Sequence, residues 1–237
     1  MAKKKKSCRA RQASSSLGKT PDSTTISNTD IKFPGNLRNS IASVALASQP
    51  IKFIVGPDRT EFTLHSHLVA QQSPILEVLV SSGTGVVQKT IDWEHVDESA
   101  FLCFSQHIYT GQYDPLKLET KFHWRTAEDE WKNRVLCHIK IYIFASCYGV
   151  EALMDSSFAR LKSDLGGAKT NKAAIAAFPG ILRFCCCCSI GCPAQVMDLV
   201  KKSAASLVFD LLKLDDFRTL VTDYPDLAID VLFRMVE

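Results

Sequence analysis

The sequence predicts an α+β fold: a small β-sheet of three main strands covered by a cluster of helices, then an all-helical C-terminal extension. Three observations lead there. Short segments rich in β-branched and aromatic residues sit early, at 51–55, 61–64 and 88–93. Beyond residue 97 the apolar residues recur at three and four, the helical period. The strand-like segments precede the helical ones instead of alternating with them, which is the order of an α+β chain.

The chain has 237 residues, 46% hydrophobic and 22% charged, enough for one sizeable core or two small ones. A net charge of +3 hides an asymmetry. Residues 1–20 hold seven bases and no acid; taking those seven from 28 leaves 21 basic against 25 acidic residues. The remaining body is mildly acidic, so no nucleic-acid binding is expected of it. Residues 1–35, rich in Ser, Thr, Lys and Arg, read as a disordered tail. Its basic cluster of Lys3, Lys4, Lys5, Lys6, Arg9 and Arg11 fits an import signal and a solubilising tail equally well. No apolar stretch follows it, as a secretory leader requires. The nine cysteines are odd in number and four are consecutive, unlike a disulfide framework. A reducing compartment, nuclear or cytoplasmic, is expected.

The elements follow in order. Leu37, Ile41, Val44 and Ala45 are spaced as a short helix that stops before Pro50. Residues 51–55 form a strand closed by Gly56-Pro57, and 61–64 alternate as the return strand of a hairpin. Two short helices follow at 65–72 and 74–80, the second with Ser73 at its N-cap and Pro74 at its first position. A loop at 81–85 leads to the third strand. Residues 97–109 are helical, with Phe101, Leu102, Phe104, Ile108 and Tyr109 on the apolar face and Gly111 as the stop. The polar stretch 113–133, with Pro115 and Glu128-Asp129-Glu130, reads as a connection or insertion. Val135, Ile139, Tyr142, Ile143, Cys147 and Val150 mark a buried helix ended by Gly149, and another follows at 152–162. After Gly166-Gly167, Val196, Leu199, Val200, Leu207, Val208, Leu211 and Leu214 mark a long amphipathic helix. Asp215 or Asp216 caps a short helix at 217–221, and Pro225 opens a last one with Leu227, Val231, Leu232 and Met235. The expected units are 1–35, a domain at 36–165 and a helical extension at 166–237.

Three blocks in this order resemble the BTB/POZ family. The first runs from Ile51-Lys52-Phe53-Ile54-Val55-Gly56-Pro57 through Phe62-Thr63-Leu64-His65 to Ser73-Pro74-Ile75-Leu76. The second is Ile108-Tyr109-Thr110-Gly111-Gln112-Tyr113, similar to the family's Y-T-G-x-Y. The third, from Ile141-Tyr142 to Val150-Glu151-Ala152-Leu153, resembles Y-x-x-A-D-K-Y-x-V-x-x-L. Val55-Gly56-Pro57, Asp215-Asp216-Phe217 and Tyr224-Pro225-Asp226-Leu227 resemble the fungal small BTB proteins. The resemblance implies a non-catalytic protein-binding domain that forms homo- or hetero-oligomers, in ubiquitin-ligase or transcription-related assemblies. Gln49-Pro50 and Ser66 stand where dimeric members carry a buried charged pair. Residues 81–87 lack the acid of the cullin-binding motif.

Other chemistry is sparse. Ala13 to Thr20 imitates a phosphate-binding loop but has no strand before it. His65-Ser66-His67 points two imidazoles to different faces, which favours a structural His65 over a metal site. Cys185, Cys188 and Cys192 fall at i, i+3 and i+7 and could offer three thiolates, short of the four ligands of a closed zinc site. A Cys-rich apolar helix is the competing reading. Residues 173–192 carry one charge, Arg183, but Pro179-Gly180 should break a membrane span there. The expectation is a non-enzymatic protein–protein interaction module without cofactor or membrane segment. Ile51, Phe53, Phe62, Leu68 and the helix at 196–214 are its candidate surface. The alternative is a thiol-based metal-binding or redox-sensing protein using the Cys185–Cys192 cluster.

Overall fold

The computed structural model describes residues 47–81, 89–115, 126–188 and 191–235. The basic tail, the short helix predicted near Leu37 and residues 82–85 of the predicted loop lie outside the described residues.

The chain opens with a hairpin, β1 (Pro50–Val55) and β2 (Thr60–His65). Ile51, Phe53 and Val55 are buried while Lys52 and Ile54 take the other face, the two-residue period of a half-covered strand. Lys52 meets Glu61 of β2 at 2.6 Å across that outer face. The hairpin turns on Gly56, whose φ of +72° lies where an L side chain is strained. Helices α1 (Ser66–Ala70) and α2 (Pro74–Ser81) then carry the chain over to β3 (Thr90–Trp93). β3 pairs with β1 in parallel, from Lys52 with Thr90 to Val55 with Trp93, whereas β2 pairs with it antiparallel. The sheet is mixed, in the order β2-β1-β3, with β1 central.

Helix α3 (Glu98–Thr110) covers the sheet, N-capped by Asp97 and stopped by Gly111 at φ +75°. Helices α4 (Ala127–Tyr148) and α5 (Glu151–Gly166) form an antiparallel pair joined at Gly149. A turn of 3₁₀ helix at Ala168–Thr170 leads to α6 (Lys172–Cys187). Then come α7 (Ala194–Leu211), α8 (Asp215–Asp223) and α9 (Pro225–Phe233). The fold is α+β, a small mixed sheet with helices on it and helices after it.

Two apolar cores result. The first gathers the sheet, α3 and one face of α4, every buried member lying between Ile51 and Leu153. Its centre is aromatic: Phe53 lies 5.0 Å from Trp93 and 5.3 Å from Phe101, and Phe104 lies 5.0 Å from Phe144. The second runs from Trp131 to Val231 and is mostly aliphatic, alanine and cysteine. α4 is the seam. Ile141, Phe144 and Ala145 face the first core; Val135, Ile139, Tyr142 and Ile143 face the second. Leu161 and Leu165 of α5 belong to the second core, so the apolar packing does not divide at residues 165 and 166.

Three local expectations are corrected. Residues 127–133 are not a connection but the first two turns of α4. Thr126 caps them by accepting from the Asp129 N–H at 3.0 Å, and Glu128, Asp129 and Glu130 face the positive helix end. Pro179 does not break its helix: α6 continues through it. A helix-interior proline costs ~3 kcal/mol, but Phe178, Ile181 and Leu182 around it are fully buried, at ~1.5–3 kcal/mol each. Neither Asp215 nor Asp216 caps α8; both lie in its first turn behind Leu214, where they oppose the dipole by charge alone.

Candidate functional site

The seam between the cores opens into an apolar cleft of about 380 Å³. Val96 and Ala100, at the start of α3, form one wall. Ile143, Phe144 and Tyr148 of α4 line it from one helix, and Phe184 of α6 from the second core. Cys147, exposed, and Cys188 stand at its mouth.

Each wall is anchored by polar contacts that also use up its charges. Asp97 accepts from the Ser99 and Ala100 N–H groups at 3.0 and 3.2 Å, and from Lys140 Nζ at 2.7 Å. Burial works against its charge, but Lys140 and these donors prevail and hold the carboxyl below its usual range. Tyr148 packs on Trp93 at 4.5 Å and Phe144 at 4.8 Å. Burial pushes its phenol up to about 12, and its hydroxyl lies 3.3 Å from His95 Nε2. The Tyr148 carbonyl accepts from Ser73 Oγ at 2.6 Å, the same oxygen that caps α2 through the Leu76 N–H at 3.1 Å. The cleft therefore has apolar walls, a neutralised ion pair and a phenol–imidazole contact on its rim. That arrangement suits burial of apolar groups with polar orientation at the edge.

On the far side of α4 lies a polar network that sequence reading missed. Tyr113 Oη is 2.8 Å from His138 Nδ1, and His138 Nε2 is 3.3 Å from Asp164. Arg134 donates to Asp164 at 3.1 Å and to Glu130 at 3.3 Å, and Arg160 covers the Tyr113 ring at 4.5 Å. Burial opposes the Asp164 charge, but His138 and Arg134 outweigh it and lower its pKa. Burial raises the Tyr113 phenol. The network ties the end of the Y-T-G-x-Y block to α4 and α5. Its available signal was Arg134 and His138, one turn apart, with His138 set among the apolar residues Val135, Ile139 and Tyr142.

The candidate surface residues are placed differently from expectation. Ile51 and Phe53 are buried, because β1 is the central strand and α3 closes over it; Phe62 and Leu68 are half-buried against the same core. Along 196–214, Val196, Val200, Leu207, Val208 and Leu211 are buried too, leaving Phe209 and Leu212 outside. Among the described residues the other large apolar side chains that face solvent are Ile75, Val78 and Tyr109 on the sheet body, with Ile229, Leu232, Phe233 and Met235 in and after α9.

His65 is bound to Tyr109, Nδ1 to hydroxyl at 2.7 Å, while His67 contacts Gln71 at 2.8 Å. The cysteines do not share one helical face. α6 ends at Cys187, Cys188 is already extended, and Gly191 at φ +85° turns the chain before Cys192. Cys185 is buried in the second core; contact with Cys192, then burial, pushes its thiol up. Cys187 Sγ instead lies 2.9 Å from Tyr224 Oη. Cys103 and Cys137 meet at 3.7 Å inside the first core. Among the described residues no three His, Cys, Asp or Glu side chains are grouped to hold a metal, and no helix is long and apolar enough to cross a membrane. Comparison with protein-family models and with curated proteins finds no match, so the functional reading rests on these residues and their geometry.

Proposed function

We propose that the chain is a non-enzymatic protein-interaction module of the BTB/POZ type. On this reading the cleft at its seam receives apolar side chains of a bound polypeptide. One observation carries the reading. The three separate segments that resemble the family, 51–76, 108–113 and 141–153, contribute to a single core, with the hairpin, two short helices and a third strand in the order the resemblance implies.

The cleft supports the polypeptide part. Its volume lies at the lower end of the ~300–1,000 Å³ range of small-molecule pockets, room for apolar side chains of a polypeptide. Its charged groups are already paired with each other, so what it offers is apolar area. The test is affinity capture with the full chain as bait, read by quantitative mass spectrometry beside two variants. Cys147→Trp places a large ring at the mouth of the cleft from an exposed position. Leu232→Glu alters a distant exposed site. A polypeptide held by the wild type and by Leu232→Glu but lost with Cys147→Trp is the expected result. A captured set indifferent to Cys147→Trp would contradict the cleft as the site.

A further inference from the structure

We propose that Cys185 and Cys192 form an oxidisable dithiol: a hydroperoxide oxidises Cys192, and Cys185 resolves the product to a disulfide. The pair lies apart from the residues that line the cleft, and the inference does not depend on the family resemblance or on what the cleft binds.

The turn after α6 builds the pair. α6 carries Cys185 in its last turn and ends at Cys187. The Gly191 N–H donates to the Cys188 carbonyl at 2.9 Å, and the positive φ of Gly191 sends the chain back. Cys192 is thereby set against Cys185, whose S–H donates to the Cys192 sulfur. The two sulfurs differ in shelter. Cys185 is 3% exposed and a member of the second core, whereas Cys192 is half-buried and packs against that core. A reagent arriving from solvent meets Cys192 first. The Cys185 S–H and the Lys201 ammonium both favour a thiolate there and hold the Cys192 thiol below its ordinary range, although burial opposes them. Lys201 also pairs with Asp230.

The other close thiols lack this combination. Cys103 and Cys137 lie 3.7 Å apart, but both are buried in the first core, and contact with Cys137, then burial, pushes the Cys103 thiol up. Cys187 faces the Tyr224 hydroxyl. An accessible sulfur held toward its thiolate, beside a sheltered second thiol, is the arrangement of a redox-sensing cysteine and its resolving partner.

The chemistry balances in two steps. The Cys192 thiolate attacks the terminal oxygen of the hydroperoxide; the O–O bond breaks, Cys192 becomes a sulfenic acid, and the departing alkoxide takes a proton from water. The Cys185 sulfur then attacks the Cys192 sulfur, and its proton leaves with the displaced hydroxyl as water. Two thiols are oxidised to one disulfide and the hydroperoxide is reduced to an alcohol and water. The movement that reaches the ~2.05 Å of a disulfide falls on Cys192 and the turn, because Cys185 is fixed in the core. A dithiol reductant restores both thiols by exchange.

Hydrogen peroxide titrated into the reduced full chain tests this, followed by alkylation, trypsin and mass spectrometry. Cleavage after Arg183 and Lys201 releases all five sulfurs of the region in one peptide, 184–201. Cys185 and Cys192 should lose their thiols together, before the exposed Cys147 and before Cys103 and Cys137, and should regain them with dithiothreitol. Cys185→Ser should leave Cys192 as a sulfenic acid that a 1,3-diketone probe captures. Cys192→Ser, at a half-buried position, should leave Cys185 a free thiol at the same dose. A disulfide from Cys192 to Cys186, Cys187 or Cys188, or a Cys185–Cys192 pair still reduced when Cys147 is oxidised, would overturn the proposal. If Cys185→Ser unfolds, the wild-type map and Cys192→Ser remain decisive: oxidation of Cys185 without Cys192 also overturns it.

Discussion

The two cores that share α4 are built on different principles. The sheet core is small, strand-based and closed by aromatic rings that interlock: Phe53, Trp93, Phe101, Phe104 and Phe144 lie within a chain of centroid distances between 5.0 and 6.1 Å. The helical core is larger and relies on aliphatic, alanine and cysteine side chains between helix faces. A ring-filled core depends on each ring; a helix-packed one distributes its burial over many smaller contacts. Among the described residues the difference continues to the surface, where the helical part leaves Phe209, Ile229, Leu232 and Phe233 outside and the sheet part leaves fewer. The cleft lies where the two meet, so its shape depends on both.

The sharpest way to break this contrast is to empty the ring cluster. Phe101→Ala removes a fully buried ring packed against Phe53, Phe62 and Trp93. It should cost ~3–5 kcal/mol in urea unfolding. Because α4 belongs to both cores, tryptophan fluorescence from Trp93 in the first core and Trp131 in the second should report one shared transition. Two separated transitions would show that α4 does not couple the cores.

The helical core should respond less steeply. Leu182→Ala deletes a fully buried side chain of α6 and should cost ~2–4 kcal/mol. A loss equal to or above that of Phe101→Ala would remove the contrast between a ring-dependent and a distributed core.

The polar network gives a third comparison, set by pH. Asp164→Asn leaves His138 and Arg134 short of a charged partner and should cost ~1–3 kcal/mol at neutral pH. Asp164 has a folded pKa below its ordinary value, so its stabilisation is complete above that ordinary value and fades as pH falls through the folded one. The gap between wild type and Asp164→Asn should therefore shrink on acidification below pH ~4. A gap that widened in acid would contradict the ion-paired assignment.

The smallest effect is expected at Gly180. A Cβ there would come within 2.7 Å of Lys132 Cε and 2.9 Å of Nζ, the movable end of a long side chain. Lys132 can swing aside, and alanine is favoured over glycine within a helix by up to ~1 kcal/mol. Gly180→Ala should stabilise by less than that. A marked loss would mean that α4 and α6 approach more rigidly than a distributed core implies.

Much of the sheet half was legible because its signals are local. The hairpin alternation, Ser73 before Pro74, and Asp97 and Gly111 around α3 each act within a few residues. The start of α4 was missed because an acidic run resembles solvent-exposed linker, although Thr126 three residues before Asp129 is a readable cap. Pro179 misled for the opposite reason: its cost is local, and the burial that offsets it is tertiary. Ile51 and Phe53 were misplaced on the surface because strand periodicity tells which residues share a face, not which strand is central. The parallel pairing of β3 and the cleft depend on contacts far apart in sequence. Asp97 with Lys140, and Phe184 in one cleft with residues of α4, are not visible as patterns.

Hydrogen–deuterium exchange on the full chain, with and without a polypeptide captured by it, tests the central claim most directly. The account predicts new protection at 95–100 and 140–148 and around Phe184, with the strands unchanged. Protection confined to surfaces away from the cleft would contradict it.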